Sequence, residues 1–146
     1  MIERIPQRSE TDCTICAVAM VMRHVYSYER VLRDSDKYPK ISEDGKFYAW
    51  WETYLKDEGF LAEYRSFMDL YSLPKYGGSV VGLLGFDMPH IKFSHIVAVD
   101  ELGVIDPADN WPPHIDIAKY ILRRINQGAV FNSEFLAVVD SKTIMH

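Results

Sequence analysis

The chain has 146 residues, of which 48% are hydrophobic and 25% are charged, values that indicate a single globular domain over residues 1–146. Its net charge of −5 and the lack of any run of Lys and Arg disfavour nucleic acid as a partner. No stretch approaches the roughly 18 consecutive apolar residues of a membrane span, so we expect none.

The cysteine content and the first residues bear on the cellular compartment. The sequence has 2 cysteines, at positions 13 and 16, which cannot build a disulfide framework. The opening residues, MIERIP, lack the apolar core of a secretion signal. We therefore expect a cytoplasmic protein, and no pattern calls for a cofactor or a metal.

The first predicted helix follows a polar, turn-prone segment at residues 7–12. Asp12 or Thr11 is a natural N-cap, because its side-chain oxygen can accept a hydrogen bond from an unpaired backbone N–H group. Residues 14–25 are nearly all apolar without a polar stripe, which predicts a helix buried on most sides. Cys13 would lie in the first turn, where the positive end of the helix dipole favours a thiolate.

Two further helices are predicted before residue 60. Residues 27–33 indicate a short helix, followed by a polar loop at residues 34–37. Residues 42–45 carry a helix-start signature for residues 46–58, and Gly59 fits the position just past the helix end. Apolar and aromatic side chains recur in this helix at three- and four-residue steps, which predicts one buried face that is core rather than a substrate platform. They are Phe47, Trp50, Trp51, Tyr54 and Leu55. Trp50 and Trp51 are the alternative candidates for lining a groove.

The second half of the chain has the pattern of a β-sheet. The predicted strands cover residues 61–67, 79–85, 94–99, 104–106 and 134–139, and residues 86–93 are predicted as a loop. The strands at 94–99 and 104–106 are joined by a tight connection that contains Gly103.

A late amphipathic helix is predicted at residues 115–125, after an irregular segment at 107–113. Its apolar side carries Ile117, Tyr120, Ile121 and Ile125. Helices first, then an antiparallel sheet with one late helix, indicate an α+β domain of two packed halves with a site in the cleft between them.

A cysteine nucleophile needs a base, a group that orients the base, and donors for the oxyanion. Among the 5 histidines, His95 is the best candidate base because it opens a predicted strand. Asp106 ends the next strand of the same hairpin, so its carboxylate should reach the imidazole. Gln7, six residues before Cys13, can place its amide beside the thiol, with the Cys13 backbone N–H as a second oxyanion donor.

This set of residues resembles the papain-like cysteine peptidases, and within them the group that processes double-glycine leader peptides in bacteriocin export. The resemblance is carried over essentially the whole chain by the late helix with its final strand and by four motifs. They are the Gln7 to Cys13 spacing, the Gly77-Gly78 turn into an apolar strand, Ser94 to Val99, and Val104-Ile105-Asp106-Pro107.

The resemblance implies a papain-like fold in which an N-terminal helical half, with the cysteine helix buried, packs on a C-terminal antiparallel sheet. It also implies cleavage of a peptide or isopeptide bond in a peptide or protein substrate, through a thioester on Cys13. His95 would act as base and then acid, Asp106 would orient it, and Gln7 would line the oxyanion hole. The chain departs from the family at Thr14, where Gly commonly follows the nucleophile.

Two other functions are compatible with the sequence. Thr14 beside the thiol suggests a peptidase-like module that binds an extended peptide without cutting it. The Cys-x-x-Cys motif at residues 13–16 is also compatible with a thiol–disulfide oxidoreductase. No buried strand precedes this motif, however, and we expect Cys16 to be part of the core. A zinc site is disfavoured because no second Cys/His pair has ligand spacing.

Alternatives also exist for the individual site residues. His90 would replace His95 as base if the hairpin register differs, and Asp109 or Asn110 would replace Asp106 as the orienting group. His24, inside the first predicted helix, is expected to be structural.

Overall fold

The computed structural model describes most of the chain. The described residues are 4–6, 8, 12–22, 27–39, 50–66, 81–88, 93–100, 102–108, 112, 114–131 and 134–140. In chain order the elements are α1 (Cys13–Val21), α2 (Tyr28–Ser35), α3 (Trp50–Asp57), β1 (Phe60–Ser66), β2 (Val81–Met88), β3 (Phe93–Asp100), β4 (Gly103–Ile105), α4 (Ile117–Asn126), β5 (Val130–Phe131) and β6 (Glu134–Asp140). None of the helices within these ranges is long and apolar enough to cross a membrane.

All six described strands belong to one antiparallel sheet, in the order β1-β6-β2-β3-β4, with β5 beside β2. The three helices that come first in the chain precede this sheet, and α4 is inserted between β4 and β5. The predicted α+β class, with a helical half packed on an antiparallel sheet, is confirmed.

The sheet separates two hydrophobic cores, because side chains alternate between its faces along each strand. On β3, Ala98 belongs to the core formed with α1, α2 and α3. Its neighbours Val97 and Val99 belong to the other core, which contains Tyr120 and Ile121 of α4. Helices α1 to α3 therefore cover one face, and α4 covers the other.

Helix α1 is buried on nearly all sides, as its unbroken apolar sequence predicts. Asp12 occupies the N-cap position, but its carboxylate does not cap the helix. It accepts hydrogen bonds from the Arg8 backbone N–H at 3.0 Å and from the Tyr28 hydroxyl at 2.8 Å instead. The side chain thus ties the segment before Cys13 to α2, while residues 23–26 at the far end are outside the described ranges.

Helix α2 extends beyond its predicted end. Ser27 caps it by accepting a hydrogen bond from the Arg30 N–H at 3.3 Å. The loop prediction is wrong for Asp34 and Ser35, which continue the helix. Asp34 is buried and accepts a hydrogen bond from Tyr54 at 2.9 Å, so a polar residue here faces inward with a partner rather than marking a loop.

Helix α3 carries the predicted aromatic face. Trp50, Trp51, Tyr54 and Leu55 are all buried, which confirms that this face belongs to the core. Gly59 follows the helix with φ of 90°, as expected for its end. The predicted start at residues 42–45 and Phe47 lie outside the described part of the chain.

The predicted loop at residues 86–93 is wrong at both ends, because β2 runs to Met88 and β3 begins at Phe93. Phe86 pairs with His95 on one side and with Phe131 on the other, so this part of β2 lies in the sheet interior. The short strand β5 was not predicted. The turn at Gly77-Gly78 is outside the described residues.

Helix α4 buries Tyr120 and Ile121 as predicted, but Ile125 is 48% exposed, so its assignment to the buried side is wrong. The inward position in this last turn is taken by Arg124, one helical turn after Tyr120. Asp116 caps the helix by accepting a hydrogen bond from the Lys119 N–H at 3.1 Å.

The hairpin between β3 and β4 closes at the pair Asp100 and Gly103. Gly103 has φ of 136°, and a Cβ atom on it would lie 2.4 Å from the carbonyl oxygen of Ile115. Only glycine fits this turn without moving the backbone. The tight connection fixes the register that brings the two hairpin strands to the site.

Candidate active site

Cys13 is the first residue of α1 and is 4% exposed. Backbone N–H groups in a first helical turn have no acceptor within the helix, and their dipoles stabilise a negative charge placed there. The hydroxyl oxygen of Thr14 is 3.9 Å from the Cys13 sulfur, and the backbone of Ile96 in β3 also hydrogen-bonds to it. The start of the helix therefore places the thiol next to β3.

His95 is buried in β3 and is held by Asp106. Its Nε2 atom is 2.9 Å from Asp106 Oδ1, and because an ionised carboxylate only accepts, Nε2 carries the proton of this bond. The other ring nitrogen, Nδ1, is also buried and is the atom available to the thiol. Cys13, His95 and Asp106 thus form one chain of contacts.

The strand register explains why His95 and Asp106 meet. Ala98 pairs with Ile105, so Asp106 follows the last residue of β4 at the level of Val97. His95 and Val97 are two residues apart and share a sheet face, which lets the carboxylate reach the imidazole diagonally. The hairpin prediction for this pair of side chains matches the geometry.

Electrostatics at the site favour a thiolate and an imidazolium. Burial alone raises the pKa of Cys13, but the hydrogen bond and the charge of His95 outweigh it, so this pKa lies below its ordinary value. Burial lowers the pKa of His95, yet hydrogen bonds to Asp106 and Cys13 raise it to about 9. Each group therefore stabilises the charged form of the other.

Asp106 is completely buried and all four of its lone-pair directions are used. Oδ1 accepts from His95 and from the Ala108 backbone N–H at 2.9 Å. Oδ2 accepts from the Tyr120 hydroxyl and from Arg124 Nη2 at 2.8 Å. Burial raises the pKa of Asp106, but the hydrogen bonds and the charge of His95 hold it at about 2.

The roles of Tyr120 and Arg124 were not predicted from the sequence, although Tyr120 was placed on the buried side of α4. A buried tyrosine hydroxyl needs a partner, and an arginine four residues later lies on the same helix face. A buried tyrosine and an arginine on the same face of the helix together indicate a buried acidic group beside α4.

Cys16 lies one turn after Cys13 and is fully buried in the core, as predicted. Burial and the negative charge of Asp12 raise its pKa to about 12. A thiol with so little thiolate is a poor partner in disulfide exchange, which weighs against the oxidoreductase hypothesis. Among the described residues, no group of three His, Cys, Asp or Glu side chains is arranged to hold a metal ion.

Several candidates fall outside the described ranges. These are Gln7, His24, His90, Asp109 and Asn110. His114 is described, and its Nε2 atom lies 3.1 Å from Asp100 Oδ2 at the opposite end of β3 from His95. It forms a second His–Asp pair away from Cys13.

Solved structures with this architecture include two peptidase domains of transporters. The peptidase domain of Streptococcus ComA, a bifunctional ABC transporter involved in quorum sensing, gives a TM-score of 0.59 at 16% identity, over 95% of this chain and 98% of that one. A double glycine motif protease from an AMS/PCAT transporter, in complex with its leader peptide, gives 0.59 at 18% identity, over 96% and 92%.

Comparison of the sequence with protein-family models gives no match, and comparison with curated proteins gives none either. At such low identity the structural likeness is a likeness of fold. The chain therefore has the papain-like α+β fold of the double-glycine peptidase domains, as the sequence resemblance implied.

Proposed function

We propose that this protein is a papain-like cysteine peptidase that cleaves a peptide or isopeptide bond through a thioester intermediate on Cys13. The observation that carries the proposal is the buried chain from Cys13 through His95 to Asp106. A thiol that is more acidic than usual, next to an imidazole that is more basic than usual, is the arrangement that nucleophilic catalysis by cysteine needs.

In the acylation step, the Cys13 thiolate attacks the carbonyl carbon of the substrate, and the C=O electron pair moves onto oxygen. The Cys13 backbone N–H and the Gln7 amide donate hydrogen bonds to this oxyanion. As the tetrahedral intermediate collapses, the C–N bond breaks and His95 gives its proton to the leaving nitrogen. The products of this step are a free amine and a thioester on Cys13.

In the deacylation step, His95 takes a proton from a water molecule that attacks the thioester carbonyl. The C–S bond then breaks, the carboxylic acid product leaves, and the thiolate and imidazolium are restored. An amine in place of water would make the same intermediate an acyl donor. Asp106 remains ionised throughout and keeps Nε2 protonated, so that Nδ1 is the nitrogen that exchanges protons with substrate and water.

The proposed substrate is an extended peptide or a protein segment. The double glycine motif protease with the same fold was solved with its leader peptide, which supports a peptide for this chain too. Thr14 adds a methyl group and a hydroxyl beside the sulfur, so this residue narrows the space next to the nucleophile compared with a glycine there. A reducing compartment such as the cytoplasm would keep Cys13 reduced and free of disulfides.

The proposal is tested by the reactivity of the two cysteines and by cleavage of a peptide library. Iodoacetamide at pH 6.5 should alkylate Cys13 at least about 100-fold faster than Cys16, because only Cys13 has appreciable thiolate at that pH. The variants Cys13→Ala and His95→Ala should cleave no library peptide that the wild type cleaves. Tandem mass spectrometry of the alkylated peptides shows which of the two cysteines has reacted.

His114→Ala is the matched control, since it removes a histidine that is also paired with a buried aspartate. This variant should keep both the fast alkylation and the cleavage. Equal, slow alkylation of both cysteines in the wild type would overturn the proposal. Library peptides that bind the wild type and Cys13→Ala equally but stay uncut would favour a peptide-binding module instead.

A further inference from the structure

Two residues of α4, Tyr120 and Arg124, contact Asp106 on the side away from His95. The Tyr120 hydroxyl donates to Asp106 Oδ2 and at the same time accepts from Arg124 Nε at 3.0 Å, while Arg124 Nη2 donates to the same Oδ2 at 2.8 Å. The Arg124 side chain is only 12% exposed, and Tyr120 is fully buried. The three groups form a closed triangle on the side of Asp106 that faces away from His95.

We propose that Tyr120 and Arg124, together called the α4 clamp, are positioning residues that aim Asp106 at His95 and set how tightly His95 holds its proton. This inference rests on the proposed function, because it concerns the same Cys13 and His95 pair. Neither clamp residue is placed to touch the substrate, since each acts through Asp106.

The hydrogen bonds of Asp106 fix the direction in which its carboxylate points. A carboxylate held only by His95 can rotate about its side-chain bonds and lose its alignment with the ring. Here Oδ2 is fixed by two donors from one helix, and Oδ1 is fixed by the Ala108 N–H. The only partner of Asp106 that changes protonation in the cycle is therefore His95.

The α4 clamp also sets how much negative charge Asp106 presents to His95. A bare buried carboxylate would hold the imidazolium proton so firmly that its transfer to a leaving amine would be slow. The guanidinium of Arg124 offsets part of this negative charge at a distance of 2.8 Å. His95 can then be protonated beside the thiolate and still release the proton during the reaction.

The charged and titratable groups that face His95 come from several elements. They are Cys13 from α1, Asp106 after β4, and the α4 clamp behind Asp106. On the β2 side His95 pairs with Phe86, which has no charge and packs edge to face on Tyr120 with ring centroids 5.5 Å apart. The next residue of β2, Asp87, is exposed. Arg124 is therefore the cation whose removal should change the proton affinity of His95.

The test is a pH titration of His95 in the 146-residue chain. It is monitored by NMR of ¹³C-labelled histidine rings, and the His95 signal is assigned by its absence in His95→Ala. In Arg124→Gln the pH at which His95 loses its proton should rise by about one unit, as expected for removing a nearby buried charge. Arg124→Lys should bring this pH back towards the wild-type value, because it restores the charge without the fork geometry. Tyr120→Phe should raise it by less than Arg124→Gln does.

Arg123→Gln is the matched control, since Arg123 is the preceding residue of α4 and its side chain is exposed. It removes the same charge from the same helix and should leave the His95 titration unchanged. For a cleaved library peptide, Arg124→Lys should lower kcat by about tenfold or more with KM within about twofold, since the geometry and not the binding surface is altered.

A titration of His95 in Arg124→Gln that stays within about 0.3 pH units of the wild type would overturn the role of the clamp. If Arg124→Gln does not fold, Tyr120→Phe decides, and an unchanged titration there also overturns it. Failure of the proposed function looks different. In that case the wild-type His95 loses its proton near the ordinary value, and Cys13 is alkylated no faster than Cys16.

Discussion

Replacing Asp106 by Asn tests whether the negative charge of Asp106 stabilises the imidazolium of His95 and the thiolate of Cys13. The amide oxygen of Asn can still accept the hydrogen bond from His95 Nε2, so the variant removes the negative charge with little change in shape. Arg124 then lies behind the site without the carboxylate that it contacts at 2.8 Å. Both changes disfavour the imidazolium form of His95, and with it the thiolate of Cys13.

The size of the effect can be worked from the pKa of His95, which is about 9 instead of the ordinary 6.5. At about 1.4 kcal/mol per pH unit, Asp106 and Cys13 together stabilise the imidazolium by about 3 kcal/mol more than burial destabilises it. If Asp106 supplies at least half of this, its loss lowers the population of the thiolate–imidazolium pair by about 10- to 100-fold. The pKa of the Cys13 thiol should rise correspondingly.

The assay is the rate of iodoacetamide alkylation of Cys13 between pH 5 and 9 in a Cys16→Ala background, so that a single thiol is followed. The raised pKa of His95 means that the imidazolium persists up to about pH 9 in the parent chain. In Asp106→Asn the imidazolium should be lost at lower pH. Alkylation of Cys13 near neutral pH should therefore slow by about 10- to 100-fold.

Asp100→Asn is the control, because it removes another buried carboxylate paired with a histidine, at the opposite end of β3. Its alkylation profile should match that of the parent within about twofold. An Asp106→Asn variant that is folded by circular dichroism and has an unchanged profile would refute the electrostatic reasoning.

Three further predictions concern single contacts. Thr14→Val removes the hydroxyl beside the sulfur and should slow alkylation of Cys13 at pH 6 by about two- to fivefold, whereas Thr14→Ser should not, since it keeps the hydroxyl. The pKa of Asp106, about 2 instead of 3.8, means that its stabilisation is complete above about pH 4 and is lost as the pH falls towards 2. The free energy of unfolding, measured by urea titration, should therefore fall by about 2 kcal/mol more in the wild type than in Asp106→Asn between pH 4 and 2; parallel curves would contradict this. Gly103→Ala puts a Cβ atom 2.4 Å from the Ile115 carbonyl at a positive φ and should cost at least about 2 kcal/mol of stability, while Gly85→Ala, whose Cβ meets only a side-chain atom at 3.4 Å, should cost less than about 1 kcal/mol.

The contact between His95 and Asp106 could be predicted from the sequence because it is a property of one hairpin. Strand ends that follow each other through a tight turn lie side by side whatever the rest of the chain does. The approach of Cys13 to His95 could not be derived in this way, since it depends on how α1 packs on β3 across a large sequence separation. The sequence names His95 as the candidate base because it opens a strand, and the resemblance to a known family implies the same pairing.

Other parts of the fold could not be predicted because one local sequence pattern is compatible with two structures. Gly85 suggested the end of a strand, but a side chain there would make only an ordinary contact with Ile96, and the strand continues to Met88. Asp12 has the sequence signature of a helix cap, yet the buried Tyr28 hydroxyl claims its carboxylate. Which partner a polar side chain selects is decided by tertiary packing, and that information is not local.

The two faces of the sheet have a consequence for when the thiol becomes reactive. Cys13 arrives with α1 on one face, while the carboxylate behind His95 is held by α4 on the other. Until both layers have packed, Cys13 is an ordinary cysteine with an ordinary proton affinity. The fast alkylation of Cys13 by iodoacetamide at pH 6.5, above the slow rate of an ordinary thiol, should therefore appear during refolding with the completed two-layer structure and not with the first helices. If the protein is the peptidase that we propose, it would therefore gain its nucleophile only once it has folded, and unfolded copies would not cleave one another.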